Sequence, residues 1–212
     1  MESEPNLLFP LLTFAGCLCA TVGCLLLMRK SFAFSTRRKQ MEKLSKSLGI
    51  AFDRGIKASE CKAEGLDAEG NQLHICHKKV SLGPRKHPLL EITLKVDNAK
   101  GIGFNIASRS STGDLGSKLG IKPLETGIDT FDQGFVVKSK DEQEVKSLLN
   151  EEIRALCHVT WDEKGAHGLL KLKGTELIYS ESGSLFSDLQ VRRLESAVSL
   201  MKLLKTELES LT

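Results

Sequence analysis

Aromatic residues are scarce: of 212 residues one is Trp, one is Tyr and nine are Phe. Surfaces that bind nucleic acid interleave stacking rings with Lys and Arg, so this composition points away from that partner. Lys and Arg are missing from the first 28 positions, and no CxxC or HxxxH pair occurs. The first absence argues against an export leader, which opens with a basic stretch. The second removes the common ligand spacings of a zinc site. "KGIGFN" at 100–105 has the look of a glycine loop, but it lacks the strand–helix context and the lysine of a phosphate cradle. No internal repeat or low-complexity tract interrupts the chain.

Charge is also missing from Leu7 to Met28, a run of 22 positions. As a helix this stretch is about 33 Å long, enough to cross a hydrocarbon core of about 30 Å. Pro10 falls near its first turn, where an absent N–H costs little. A cleaved signal has a shorter apolar core and a basic start, whereas this run follows the acidic "MESEPN". "FAGC" at Phe14–Cys17 has the form of a lipobox, but no basic residue precedes the run and the sequence stays apolar after Cys17. The expectation is a permanent transmembrane helix at 7–28 behind a short acidic tail at 1–6. Arg29, Lys30, Arg37, Arg38, Lys39, Lys43 and Lys46 follow the run, and cationic flanks stay on the cytoplasmic side. This places the bulk of the chain in the cytoplasm, against the inner membrane. Arg29, Lys30, Arg37, Arg38 and Lys39 are the expected contacts with the membrane surface. Gly16, Ala20 and Cys24 recur at spacing four, which would let two spans pack closely.

Beyond the run, residues 29–46 carry a net charge of +6 and residues 47–212 a net charge of −1. The basicity is therefore juxtamembrane. Met41, Leu44 and Leu48 recur at helical spacing before Gly49, so 29–49 reads as a basic helical stalk and 50–212 as a soluble domain. Cys61, Cys76 and Cys157 are an odd number in that domain, as in a reducing compartment without a disulfide framework.

Period-two alternation dominates the next stretch. "QLHICHKKV" turns Leu73, Ile75 and His77 one way and His74, Cys76 and Lys78 the other. "SLGPRKHP" reads as a polar connection. "LLEITLKVD" then puts Leu90, Ile92, Leu94 and Val96 on one face, and "IGFNIAS" repeats the pattern through Ile102, Phe104 and Ile106. One wet face suggests antiparallel pairing, a meander in outline. Residues 108–129 read as loop and Phe135 and Val137 as strand. Ser139 and Glu142 have the spacing of a capping box. The stripe Val145, Leu148, Leu149, Ile153 and Leu156 predicts one helix. Short strands between glycine turns follow. A last helix spans about 187–208, its buried face formed by Leu194, Ala197, Val198, Met201, Leu204 and Leu208. The fold class is α+β: an N-terminal transmembrane helix, then an antiparallel sheet with helices packed on one side.

The segment "TFDQGFVVKSKDEQEVKSLLNEEIRAL" resembles a family of uncharacterised bacterial single-pass membrane-anchored proteins, in which an FDxxFxV strand leads into a helix with paired leucines. Phe131, Asp132, Phe135, Val137, Leu148 and Leu149 carry the match. Gly127-Ile128 stands where that pattern has Gly-Asp. The resemblance implies architecture and no particular activity.

Candidate chemistries are few. His74, Cys76 and His77 are the densest metal-type cluster, but alternation turns His77 away from the other two. Cys157-His158 sits towards a helix end, where the dipole disfavours a thiolate. Asp132, just before a strand, reads as a turn carboxylate that binds nearby N–H groups; as a catalytic acid it would need a second carboxylate. No cofactor or metal is expected. The functional expectation is a membrane-anchored binding or scaffold module with an unknown protein partner. The rivals are an enzyme whose site is assembled from scattered residues and a lipid-sensing domain.

Overall fold

The computed structural model describes residues 22, 24, 28, 31, 32, 35–55, 61–82, 85–109, 123–161, 168–183, 185 and 187–211, with the backbone alone at 81, 82, 85 and 86. Among the described residues no helix is long and apolar enough to cross a membrane. The apolar run 7–28 falls almost wholly outside them, as do Gly16, Ala20, Arg29 and Lys30. Residues 22, 24, 28, 31 and 32 are helical, and continuous helix (α1) covers 35–48.

Eight strands follow α1 in one wholly antiparallel sheet of order β1-β2-β3-β4-β8-β7-β5-β6. They are β1 Ala51–Asp53, β2 Lys62–Leu66, β3 Gln72–Leu82, β4 Arg85–Lys95, β5 Phe104–Ser108, β6 Phe135–Ser139, β7 Gly168–Lys173 and β8 Glu176–Ser182. The helices after α1 are α2 Asp129–Gly134, α3 Glu142–Leu148, α4 Glu151–Trp161 and α5 Asp188–Ser210. The fold is thus α+β, as the alternating and helical periods predict.

The expected alternation is realised. Leu73 and Ile75 of β3, and Leu90, Ile92 and Leu94 of β4, are buried, while Thr93 and Glu91 between them are only half-buried. Leu170 and Leu172 of β7 and Leu177 and Tyr179 of β8 continue the same inner face. Ile153 and Cys157 of α4, and Leu194, Ala197, Val198, Met201, Leu204 and Leu208 of α5, belong to the same core. Burying each such aliphatic side chain contributes about 1.5–3 kcal/mol. The core reaches back into α1, where Met41 and Leu44 are fully buried and Leu48 packs against the cluster. The second half of the expected stalk is therefore packed into the domain, and Arg38 Nη2 donates to the Gly55 carbonyl at 2.7 Å.

Five sequence-based expectations are corrected. The meander ends at β4: β8 and β7 lie between β4 and β5, because β5 pairs with β7 and β6. "SLGPRKHP" is strand on both sides of Gly83-Pro84, with Lys79 opposite Pro88. Proline is tolerated there because β8 pairs with β4 only from Leu89 onward, so the missing N–H removes no ladder bond on that side. The stripe 145–156 is broken at Leu149-Asn150, where the Asn150 side chain accepts the Ile153 N–H at 3.0 Å and starts α4 afresh. That helix runs on through Trp161, where short strands were expected. Finally, Ser139 caps nothing. It is still in β6, donates to the Gly103 carbonyl at 2.7 Å and accepts the Asp141 N–H at 2.9 Å. The helix starts at Glu142, which is thus its first residue, not its third. A capping box does form at α5, where Ser187 and Gln190 satisfy each other's backbone N–H.

Candidate functional site

Aromatic rings gather where β5, α2, β6 and α4 meet. Phe131 of α2 and Phe135 of β6 stack with centroids 4.7 Å apart. The imidazole of His158 stands edge-on to Phe135 at 4.9 Å, and the indole of Trp161 lies 5.6 Å from the same ring. Tyr179 of β8 continues the chain, 6.0 Å from Trp161. The one Trp and the one Tyr of the sequence are therefore neighbours, and two of the nine phenylalanines join them.

A cleft of about 290 Å³ opens beside these rings, lined by Ser108, Arg109, Gln133, Gly134, Phe135, His158 and Trp161. This is near the lower end of the range for small-ligand pockets, about 300–1,000 Å³. Phe135 and Trp161 form its apolar wall, both nearly fully buried. Arg109 is oriented by two bonds to the Asp132 carbonyl, from Nε at 3.2 Å and Nη2 at 2.7 Å. Gly134 faces His158: a Cβ there would meet His158 Cε1 at 3.6 Å, an ordinary contact, and since Gly134 lines the cleft a longer side chain would compete for its space.

The wall depends on a second glycine. A Cβ on Gly168 would stand 2.4 Å from Trp161 Nε1 and 2.6 Å from the Tyr179 hydroxyl. Only hydrogen at that position lets α4 bring its indole down onto β7 and β8. Behind the rings, the Tyr179 hydroxyl donates to Glu181 Oε2 at 3.1 Å, and Arg193 of α5 donates to the same carboxylate from Nε at 2.9 Å and from Nη2. Burial raises the Tyr179 hydroxyl well above its usual pKa and the Glu181 charge adds to this, so it stays a donor.

Asp132 does not line the cleft. Its carboxylate accepts the Thr126 N–H at 3.1 and 3.2 Å, the Thr126 hydroxyl at 2.8 Å and the Gly127 N–H at 3.2 Å. It closes the loop that leads into α2, while its main-chain carbonyl holds Arg109. That is the turn carboxylate expected from the sequence.

The other singled-out residues are dispersed. Cys157 is fully buried, and burial drives its thiol far above the usual range, away from nucleophilic chemistry. His77 faces the inner side with Leu73 and Ile75, away from His74 and Cys76. Burial, with a smaller push from the Arg37 charge, lowers its pKa to about 4. Neither of its ring nitrogens has a hydrogen-bond partner among the described residues. Burial raises the Cys76 thiol. Among the described residues no group of three or more His, Cys, Asp or Glu could hold a metal ion. Of the basic residues that follow the apolar run, Arg37 and Arg38 are half-buried and Lys39 is exposed.

Arg109, Gln133, Gly134, His158 and Trp161 were not legible as one site. They come from three separated segments, and only the sheet order brings β5 beside β6 with α4 across them. A comparison with protein-family models finds no match for this chain, and a comparison with curated proteins finds none either.

Proposed function

We propose that the chain is a membrane-anchored binding module, held to the bilayer by a transmembrane helix at 7–28, that receives an apolar or aromatic side chain of a protein partner in the cleft beside Trp161. The character of that cleft carries the reading. It pairs a rigid aromatic wall with an oriented guanidinium and two neutral polar groups, Ser108 and Gln133. Ser108 and His158 are the start of an acyl-transfer constellation, but among the described residues no carboxylate lines the cleft to orient the imidazole. The nearest acid singled out from the sequence, Asp132, is spent on its own loop. Such a site suits recognition better than proton transfer.

Three features support the anchor: the 22 uncharged positions at 7–28, the seven basic residues between 29 and 46, and exposed apolar side chains on the helical positions Val22, Met28 and Phe32. The likeness of the Phe131–Leu149 segment to membrane-anchored bacterial proteins fits the same reading. The module then works on the cytoplasmic face.

The test is capture of partners from solubilised membranes with the intact chain, alongside Gly134→Leu and Arg109→Glu. Gly134→Leu fills the cleft and Arg109→Glu reverses its charge, so both should lose a partner that the parent chain retains. The partner, added back in purified form, should shift the emission of Trp161 in the parent chain only. Retention of every partner by both variants overturns the cleft as the docking point. A hydrolytic or transfer activity that depends on His158 overturns the non-catalytic reading. Extraction of the intact chain by alkaline carbonate overturns the anchor.

A further inference from the structure

The β3–β4 hairpin outgrows the sheet that it belongs to. β2 accompanies β3 only as far as Lys62 opposite Cys76, and β8 accompanies β4 only from Ser182 opposite Leu89. Beyond these points residues 79–82 and 85–88 pair with each other, from Lys79 opposite Pro88 to Leu82 opposite Arg85. Among the described residues no other strand flanks these four pairs, which extend the hairpin by roughly 13 Å at about 3.3 Å per residue. Gly183 N–H, which donates to the Pro88 carbonyl at 2.9 Å, marks its base.

The arm is basic throughout. Residues 77–88 include Lys78, Lys79, Arg85 and Lys86, with His77 and His87, and no acid. The first acid beyond is Glu91, which pairs with Lys78. Lys79 and His87 are exposed, as are Val80 and Pro88. No Phe, Tyr or Trp is present, so a nucleic acid would find charge but no ring to stack on.

The arm also leaves the domain where the basic helix enters it. The Arg37 charge acts on His77 at the base of the arm. Arg38 is bonded to Gly55, two residues past the Asp53 that pairs with Lys62, and Lys62 in turn faces Cys76. The start of α1 and the root of the arm therefore share one end of the sheet. Met28, the last residue of the apolar run, is only nine positions before Arg37, so the run ends close in sequence to the root of the arm.

We propose that the β3–β4 arm is a second membrane contact, its basic stretch meeting the anionic headgroups of the bilayer that holds residues 7–28. The proposal rests on the anchored reading given above and adds to it a fixed orientation. A second cationic contact beside the anchor would fix which side of the domain faces the bilayer, through charges that act over a Debye length of about 8–10 Å. The cleft is at the same end of the sheet, since Ser108 faces Phe135 in β5–β6 and Gly168 faces Glu181 in β7–β8, one strand from Leu90. The arm would thus hold the cleft close to the bilayer surface.

The test is amide hydrogen exchange of the intact chain in lipid nanodiscs of phosphatidylcholine, with and without phosphatidylserine. Residues 77–90 should exchange about tenfold more slowly in the anionic discs. The protection should vanish in high salt and in the double variant Lys79→Glu with Lys86→Glu, while Trp161 emission stays that of the parent. Equal exchange in both kinds of disc, in preparations where the chain is inserted, overturns the arm contact and leaves the anchor standing. Failure of the chain to enter discs overturns the anchor and the arm contact with it. Protection by added RNA in phosphatidylcholine discs, without any effect of phosphatidylserine, assigns the arm to nucleic acid instead.

Discussion

At the scale of single residues, the molecule depends on two positions whose roles no local pattern reveals. Gly168 reads in sequence as a turn glycine before a strand. In the fold it is the gap into which Trp161 and Tyr179 close. Gly168→Ala should cost about 1–3 kcal/mol, since buried rings and backbone must shift to admit one methyl group. A lower urea midpoint and an altered Trp161 emission maximum would register this together; an unchanged spectrum would refute it. Arg193 similarly reads as one more charge on an amphipathic helix, yet its side chain is 9% exposed against a Glu181 that is 6% exposed. Arg193→Leu strands that carboxylate in the core and should cost about 3–5 kcal/mol. Asp132 was legible because a carboxylate just before a strand reads as a turn group that binds nearby N–H groups, although the short helix α2 that holds it was not expected. The Trp161–Tyr179 contact was not, because it joins the end of a helix to a strand, and no period within either element says which face of the other it meets.

At the scale of elements, period was a good guide where one face is buried and the other wet. β3, the inner half of β4, β5 and α5 follow the alternation or the stripe with little change. The reading failed where the chain switches structure inside an unbroken pattern. The leucines and isoleucine at 145–153 keep helical spacing across the break at Asn150, so the stripe alone conceals two helices. The prolines of 81–88 suggested a connection, although Pro88 lies where β8 no longer pairs with β4 and so removes no ladder bond. The caps can be checked individually. Ser187→Ala removes the acceptor of the Gln190 N–H and should lower stability by about 1 kcal/mol, or about 2–4 °C in Tm for a domain of this size. Ser139→Ala removes the acceptor of the N–H of Asp141, the residue before α3, but of no N–H within 142–148, so it should leave the helicity of 142–148 unchanged in the amide chemical shifts. Met41→Ala should cost about 2–5 kcal/mol because α1 contributes to the core; a cost near zero would return α1 to the role of a free stalk.

At the scale of the whole molecule, the two ends of the sheet have different characters. One end gathers the start of α1, the basic arm and the cleft. The other is closed by an ionic clamp: Lys202 of α5 lies 2.7 Å from Asp67, and Lys205 donates to Asn71 at 2.8 Å, which ties α5 to the β2–β3 turn. Burial raises the Asp67 pKa, but Lys202 and the Asn71 and Glu69 N–H groups outweigh this and hold it at about 2. Acid should therefore destabilise the fold in two stages, because in each the unfolded chain binds more protons than the folded one. His77 supplies the first. The stability it gives as a neutral group is complete above its ordinary pKa of 6.5 and declines as pH falls to about 4. Asp67 supplies the second, complete above about 3.8 and lost as pH falls to about 2. Urea midpoints measured across pH should show both declines, with His77→Leu abolishing the upper and Asp67→Asn the lower. The strand order that separates these ends was out of reach of the sequence, since inserting β8 and β7 beside β4 is decided by contacts between distant segments. One consequence of α5 remains. It is an unbroken strut of 23 residues, roughly 34 Å from its capped start beside Lys43 of α1 to its finish beside Asp97. A fluorophore fused behind it would stand farther from a dye-labelled lipid leaflet than one placed at the cleft. Energy-transfer efficiency from the two sites would then read out which pole of the domain points at the bilayer.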